Sequence, residues 1–221
     1  MSKIKWLLGE EPSSIGKLLF LLRYGKNKGA YGEYLITYLI RRHIRGHYRI
    51  FRNVYIPYRN TTSEVDILLI HEKGIFVFES KNYKGWIFGD AEERYWSQFI
   101  NKGTKNLFYN PILQNNSHIN AVTKFLNIDK KMARSYIVFS DKCELKDVPK
   151  NTSSYKVLKR EKLVKTLKKD LSKRKKVFSR FEVDKMAFEI FPKAHASWYT
   201  KWKHKQYIKK RYGNNNSNGK R

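Results

Sequence analysis

Residues 64–81 read EVDILLIHEKGIFVFESK, and this stretch decides how the chain folds. It contains two apolar runs, Val65–Ile70 and Ile75–Lys81, separated by the turn Glu72-Lys73-Gly74. A turn this short between two apolar runs predicts an antiparallel β-hairpin. The first run is apolar enough for a central strand, so we expect the hairpin inside a larger sheet.

Three charged side chains in this hairpin form a candidate catalytic site. Asp66 interrupts an apolar run, where an ionised carboxylate is costly unless it is paired or binds a metal. Glu79 and Lys81 are two residues apart on the next strand, so their side chains lie on one face. With the turn centred near residue 73, antiparallel pairing sets Asp66 opposite about position 80. The hairpin therefore predicts that Asp66 lies beside Glu79 and Lys81.

Two carboxylates and a lysine at the open end of a sheet suit metal-assisted hydrolysis of a phosphodiester. Carboxylates, waters and a backbone carbonyl are the ligands that a hard cation such as Mg²⁺ prefers. Such a metal activates a water and neutralises charge that builds on the phosphate. The Lys81 ammonium would hold the attacking water or hydroxide and stabilise the transition state. Chance is the competing interpretation, because Glu-x-Lys is common in a chain of which 30% is charged.

Helices and further strands are predicted on both sides of the hairpin. Apolar residues that recur at helical spacing predict helices, and Asn followed by Pro is typical of a helix start. The predicted elements are a helix over Gly29–His43 with a core stripe of Tyr31, Leu35, Tyr38 and Leu39; a strand over Val54–Tyr58; a small hairpin of Trp86–Phe88 and Tyr95–Gln98; a helix from Asn110-Pro111; strands over Ser135–Phe139 and Tyr155–Leu158; and helices over Glu161–Lys176 and Glu182–Phe191, the last ended by Pro192.

An ordered set of motifs runs from Gly29 to Phe139. In chain order the motifs are Gly32-Glu33, Glu64-Val65-Asp66, Gly74–Asn82, Gly85–Gly89, Trp96, Asn110–Gln114 and His118. Together they resemble the NERD (nuclease-related) domain, a branch of the PD-(D/E)XK restriction-endonuclease-like superfamily. The resemblance implies an α/β fold, with a mixed central sheet of about four strands flanked by helices in the order αβββαβ. A basic helical C-terminal extension lies outside the resemblance.

The resemblance also implies roles for residues of the hairpin. Asp66 and Glu79 match the metal ligands of the family. Ser80, which follows Glu79, is a further candidate metal residue. Lys81 matches the catalytic lysine. The implied cofactor is Mg²⁺, or Mn²⁺ in its place.

Two helices contribute further positions by resemblance. Glu33 on the first helix would assist metal or water binding, and Gln114 on the second matches a polar position near the active site. His118 lies four residues after Gln114 and shares its helix face. A local capping or packing role for His118 is an equally open interpretation.

Positive charge dominates the composition. The net charge is +28, and from Lys146 to Arg221 there are 24 basic and 6 acidic residues, a net +18. Such a field attracts polyanions, and nucleic acid is the usual one. A solubilising surface, or a genome whose codons favour Lys and Asn, would give the same composition.

Aromatic residues alternate with cations in the last part of the chain. Trp198, Tyr199 and Trp202 would stack on bases of nucleic acid, particularly of single strands, or would pack the helix onto the core. The candidate nucleic-acid-binding residues are Lys173, Arg174, Lys175, Lys176, Trp198, Lys201, Trp202 and Lys203.

Four segments are expected along the chain: a partly helical lead-in over 1–28, a nuclease-like domain over 29–145, a basic strand and helical extension over 146–212, and a disordered tail over 213–221.

The single Cys143 excludes a disulfide framework and a cysteine-based zinc site, which favours a reducing cytoplasm. Leu18–Leu22 is too short to span a bilayer, so no stable membrane insertion is expected. It predicts the buried face of a helix, with an interfacial membrane helix as the alternative.

The sequence as a whole predicts a metal-dependent nuclease of bacterial type that acts on nucleic acid, with DNA as the expected substrate. The alternative is a catalytically inactive module that keeps the fold and binds nucleic acid through its charge. A basic protein of the membrane surface or the ribosome is a third interpretation, which leaves Asp66 unexplained. The sequence assigns no oligomeric state.

Overall fold

The computed structural model describes residues 28–100 and 103–212. In chain order its elements are α1 (Lys28–His43), β1 (Tyr48–Tyr58), β2 (Thr61–His71), β3 (Gly74–Lys81), β4 (Gly85–Phe88), β5 (Tyr95–Ile100), β6 (Thr104–Tyr109), α2 (Pro111–Phe125), β7 (Ala133–Phe139), β8 (Cys143–Asp147), β9 (Tyr155–Lys159), α3 (Leu163–Ser172), α4 (Arg180–Ala194) and α5 (Trp198–Tyr212), with 3₁₀ turns at Lys130–Met132 and Arg160–Lys162. Residues 1–27 of the lead-in expected over 1–28, and the tail expected over 213–221, lie outside the described residues.

The predicted hairpin lies at the centre of a five-stranded sheet of order β1-β2-β3-β7-β9. β1, β2 and β3 pair antiparallel, whereas β7 and β9 extend the sheet in parallel. Pairs of the hairpin run from His71↔Gly74 to Ile67↔Phe78. Continuing this register by one pair sets Asp66 opposite Glu79. The mixed α/β class is confirmed, with one strand more than the expected four.

A second sheet has four strands in the order β6-β5-β4-β8. The predicted small hairpin is confirmed as β4 and β5, with Trp86 opposite Phe99. β6 and β8 were not predicted. β6 is largely exposed and β8 is only five residues long, so neither carries the apolar run by which strands are recognised.

Helices cover both faces of the five-stranded sheet. α2 and α4 pack on one face through residues such as Val122 and Val183, and α1 and α3 pack on the other through residues such as Ile40 and Leu167. Within residues 28–100 and 103–212, none of these helices combines the length and the apolar character needed to cross a membrane.

The predicted core stripe of α1 was wrong. Ile36 and Ile40 are the buried apolar positions that face the sheet, while Leu35 and Leu39 are partly exposed. The isoleucines recur at i and i+4 as the leucines do, so spacing alone did not distinguish the two stripes. Contact with the sheet determines that the isoleucines form the buried stripe.

Two helix boundaries also differ from the predictions. α3 ends at Ser172, and the cations at 173–176 follow it outside the helix. α4 continues through Pro192 to Ala194. Pro192 lies in the last turn, where the ring removes one backbone hydrogen bond without breaking a longer helix. A capping box between Ser179 and Glu182 fixes the other end of α4.

An irregularity crosses β1 and β2 at the level of the candidate site. Asn53 has φ +53°, in the left-handed region that Asn tolerates better than most residues. Phe51 and Val54 consequently pack in the same apolar cluster, although regular alternation would set them on opposite faces. Val65 and Leu68 show the same change of face on β2. The sheet is thus distorted at Asp66.

Candidate active site

The charged residues of the hairpin converge at its open end, as predicted. Oδ2 of Asp66 accepts a hydrogen bond of 2.8 Å from the backbone N–H of Ser80. Nζ of Lys81 lies 2.8 Å from Oε1 of Glu79 and donates to Oε1 of Gln114 at 3.0 Å. Asp66, the end of β3 and α2 are therefore joined by direct contacts. The structure places these predicted residues together, while their chemical roles stay predictions.

Glu79 is the most enclosed of these groups, with 2% of its surface exposed. Its Oε2 faces Nε2 of His118 at 3.4 Å, and neither atom makes a hydrogen bond. On the other side of the ring, Nδ1 of His118 lies 2.6 Å from Oγ of Ser63. His118 thus reaches the site, and local packing alone does not describe its position. Ser63 had no signal in the sequence beyond its place three residues before Asp66.

Glu33 approaches from the second turn of α1. Its Oε2 accepts a hydrogen bond of 2.9 Å from Nδ2 of Asn53. Gly32 allows this approach, because a Cβ at that position would lie 2.8 Å from Oγ of Ser80. Asn53, which sequence reasoning missed, links the distorted strand to the predicted acid.

The carboxylates influence one another strongly. Burial raises the pKa of Asp66 well above its usual range, and the charges of Glu79 and Glu33 raise it further. Burial likewise raises the pKa of Glu33, and Asn53 and Arg52 oppose that shift in part. Three carboxylates that lie close together in a partly buried site repel each other. The arrangement thus favours a bound cation.

Glu79 and Lys81 compensate each other. Burial acts to raise the pKa of Glu79, but Lys81 and His118 outweigh it and the pKa is lowered. Burial acts to lower the pKa of Lys81, and Glu79 outweighs it, so the pKa of the ammonium is raised. Both groups are therefore ionised at neutral pH, and Lys81 keeps its positive charge beside the site.

These residues offer a hard cation two carboxylate ligands. Across residues 28–100 and 103–212, no three His, Cys, Asp or Glu side chains are arranged to hold a metal ion. Asp66 and Glu79 supply two carboxylates, and Oε2 of Glu79 is buried without a hydrogen bond. Mg²⁺ binds through one or two carboxylates and keeps several waters. The donor set suits such an ion, and the backbone carbonyl of Ser80 is a candidate third ligand.

A cleft of about 710 Å³ opens beside these residues. Asp66, Gln114 and His118 form part of its lining, and the β1–β2 turn, the end of β6 and α5 contribute further residues. Its wall residues are Tyr58, Arg59, Asn60, Thr61, Thr62, Ser63, Glu64, Asp66, Tyr109, Gln114, Ser117, His118, His204, Tyr207 and Ile208. The candidate site is thus open to a ligand on the side of α5.

His204 fixes α5 on the wall of the cleft. It is buried, and its Nδ1 lies 3.0 Å from Oγ1 of Thr62 while its Nε2 lies 3.4 Å from Oε2 of Glu64. The hydroxyl of Tyr55 donates to the other oxygen of Glu64. No pattern in the sequence distinguishes His204 from the cations around it. Only its contacts with β2 in the structure identify His204 as the residue that holds α5 in place.

The predicted basic run 173–176 lies away from the candidate site. Nε of Arg174 donates to the carbonyl of Lys73 at 2.8 Å, and Nζ of Lys176 lies 2.9 Å from Oε2 of Glu72. Both contacts are at the β2–β3 turn, whereas the site is at the other end of the eight-residue strand β3. At about 3.3 Å per residue the two ends are roughly 23 Å apart. Nucleic-acid binding by Lys173 and Lys175, which are exposed there, stays a prediction.

The predicted residues of α5 lie on the helix that forms one wall of the cleft. Lys201 is 5.8 Å from the ring centre of Tyr55, and Lys203 is exposed. Trp198 is 76% exposed and Trp202 44%. Trp198 therefore faces solvent, and His204 contacts β2, whereas packing of α5 through Trp202 stays an open interpretation.

Comparison with known proteins identifies the family. A family model described as "Nuclease-related domain" (NERD) matches residues 28–140, about half of the chain. An uncharacterized protein of Bacillus anthracis is 36% identical over 135 residues, which cover 60% of this chain and 62% of that relative. No solved structure matches. The chain belongs to the NERD family, and the suggested resemblance is confirmed.

Proposed function

We propose that this protein is a metal-dependent nuclease that hydrolyses phosphodiester bonds, with DNA as its substrate and Mg²⁺ or Mn²⁺ as its cofactor. One observation carries the proposal: Asp66, Glu79 and Lys81 meet Gln114 at the open end of the hairpin, beside a cleft. A nuclease-related family and a net charge of +28 support a polyanionic substrate. The buried single cysteine agrees with a reducing cytoplasm as the place of action.

The residues of the candidate site have two roles, which are to bind the metal and to position the Lys81 ammonium. Asp66 and Glu79, with the Ser80 carbonyl, would hold a metal that activates water and neutralises charge on the phosphate. Glu79 and Gln114 hold the ammonium of Lys81 from two directions, so it need not reorganise when charge develops on the phosphoryl oxygens.

Glu33 would have a third role, which is to assist water at the edge of the site. Asn53 holds one of its oxygens. Burial raises the pKa of Glu33 above its usual value, which suits a group that orders or relays protons for water.

The second candidate function is a nucleic-acid-binding module without catalysis. The contacts of Glu79 favour it, because one oxygen faces Lys81 and the other faces His118. A carboxylate compensated in this way is stable without a metal. Under this alternative the fold and the basic charge recruit nucleic acid, and no bond is cleaved.

A cleavage panel tests the proposal. Linear, circular and single-stranded DNA are incubated with Mg²⁺, Mn²⁺ or EDTA, using the wild-type protein, Lys81→Ala and Asp66→Ala. Lys84→Ala is the matched control, because Lys84 is exposed three residues beyond Lys81.

We expect divalent-dependent cleavage by the wild type and by Lys84→Ala. Loss of the ammonium or the ligand should slow cleavage by at least about 100-fold. Full activity of Lys81→Ala and Asp66→Ala would remove the proposed site. DNA binding without cleavage in any metal would establish the second candidate.

A further inference from the structure

Three aromatic side chains form an exposed surface at the start of α5. Trp198 is 76% exposed, Tyr199 58% and Trp202 44%. The rings of Trp198 and Trp202 are 6.3 Å apart and inclined by 21°, and Tyr199 lies 6.1 Å from Trp202 at 28°. We call these three residues the aromatic surface. Large apolar groups that cluster on a surface are typical of binding sites.

The aromatic surface faces away from the protein. α5 contacts β2 through His204, and both His204 and Tyr207 line the cleft. At about 100° per residue, Trp198 and Trp202 lie on the opposite side of the helix. Their rings are therefore available to a ligand while the helix stays docked.

The charge of α5 identifies the kind of ligand. Its fifteen residues include six lysines and arginines and no acid. At about 100° per residue, Lys203 lies on the side of the helix opposite Lys201 and Lys205, so these cations do not form the single polar side of a helix that lies in a membrane surface. Exposed rings among cations match the bases and phosphates of a single-stranded nucleic acid, whose bases are free to stack. In a duplex the bases are already stacked on each other.

The aromatic surface and the cleft wall lie on the same helix, on opposite sides of it. Trp198 precedes His204 by six residues, which is about 9 Å along a helix. The cations at 173–176 are at the far end of the sheet and cannot share this path. A strand bound on α5 would enter the cleft over the wall that His204 and Tyr207 form.

We propose that the aromatic surface stacks on bases of a single-stranded nucleic acid and directs the strand into the cleft. The role of the cleft in this inference rests on the proposed nuclease function, whereas the binding does not. The substrate class is then a single strand or an unpaired end, and α5 selects it.

The test measures binding in EDTA, where cleavage cannot interfere. Fluorescence anisotropy follows a labelled single strand of about 12 nucleotides as DNA and as RNA. An abasic strand with the same phosphates, the DNA duplex and vesicles of phosphatidylglycerol are compared with it. The variant is Trp198→Ala/Trp202→Ala. Trp86→Ala is the matched control, because Trp86 is 51% exposed on β4 of the second sheet.

The double variant should bind single strands about tenfold or more weakly than the wild type. The wild type should lose as much affinity on the abasic strand, and the double variant should lose little further, because both changes remove the same contacts. The salt dependence should stay the same, since phosphate contacts remain. Trp86→Ala should bind like the wild type, and DNA and RNA strands show whether the sugar matters.

Equal affinity of the wild type for normal and abasic strands would overturn the inference. So would a preference for the duplex, or vesicle binding that the double variant loses while strand binding persists. Circular dichroism verifies that the variants are folded. If base-dependent binding holds but no metal supports cleavage, the nuclease proposal alone fails. If the wild type cleaves and the double variant binds and cleaves normally, the aromatic surface alone fails.

Discussion

Lys81→Met should destabilise the protein strongly, because Lys81 compensates a buried charge. The side chains of Lys81 and Glu79 are 14% and 3% exposed, and their charged atoms are 2.8 Å apart. With an effective dielectric constant of about 20, Coulomb's law gives roughly 6 kcal/mol of attraction at that distance. Desolvation of both groups offsets part of it. Removing one partner of a buried pair costs about 3–5 kcal/mol, because the other charge stays buried alone.

The loss should depend on pH in a defined direction. In the wild type the pKa of Glu79 is lowered, so its contribution to stability is present above the usual carboxyl pKa of 4.5 and is lost as pH falls through the folded value of about 2. Without Lys81, burial dominates and the pKa of Glu79 rises. The ionised carboxylate then destabilises the variant above that raised pKa, and protonation relieves it. The difference between wild type and variant should therefore shrink as pH falls from about 7 to 4.

Urea unfolding followed by tryptophan fluorescence measures the effect at both pH values. The control is Glu79→Gln/Lys81→Met, which removes both charges and should recover most of the lost stability while staying inactive. A loss below about 1 kcal/mol for Lys81→Met at pH 7, or a double variant less stable than the single one, would refute the charge-compensation argument.

Three further predictions concern the residues that hold the site. Asn53→Ala should lose about 2–3 kcal/mol of unfolding free energy, since alanine is strained at φ +53° and the bond to Glu33 is lost, whereas Asn53→Gly should lose about 1; the reverse order in urea unfolding would contradict this. Asn110→Ala should lose about 3 kcal/mol or more of unfolding free energy, because the side chain caps α2 and donates to the carbonyls of Asp90, Ala91 and Glu93. Asn110→Asp keeps the cap but loses the donors. If that variant is as stable as the wild type, the donated hydrogen bonds contribute little. His118→Leu should weaken Mn²⁺ binding about tenfold in calorimetry, because Glu79 loses the neighbour that orients its second oxygen, and an unchanged affinity would assign His118 to packing.

Local sequence was sufficient to predict the centre of the site. A short turn sets the hairpin register, so Asp66 was placed within one residue of its position opposite Glu79. Asn110 and Pro111 fix the start of α2, and Gln114 then reaches Lys81. These positions depend on neighbours in the chain or on one turn of helix.

The remaining parts of the site depend on contacts between distant segments. β8 pairs with β4 after more than fifty intervening residues, and CELKD carries no apolar alternation that would reveal it. Asn53 adopts its positive φ where β1 crosses Asp66, which no local pattern indicates. His204 touches Glu64 across 140 positions of sequence, in a segment that reads only as basic and aromatic. Tertiary packing decides each of these.

The wall that α5 contributes to the cleft has a consequence for the family. The acids and the lysine lie within residues 28–140, which the family shares, whereas His204, Tyr207 and Ile208 lie beyond them. Under the proposed function, the residues for bond cleavage and those for substrate admission are therefore encoded in separate parts of the gene. Relatives that differ after the shared core would then combine the same reaction with a different entrance, and exchange of this helix between them would change substrate preference.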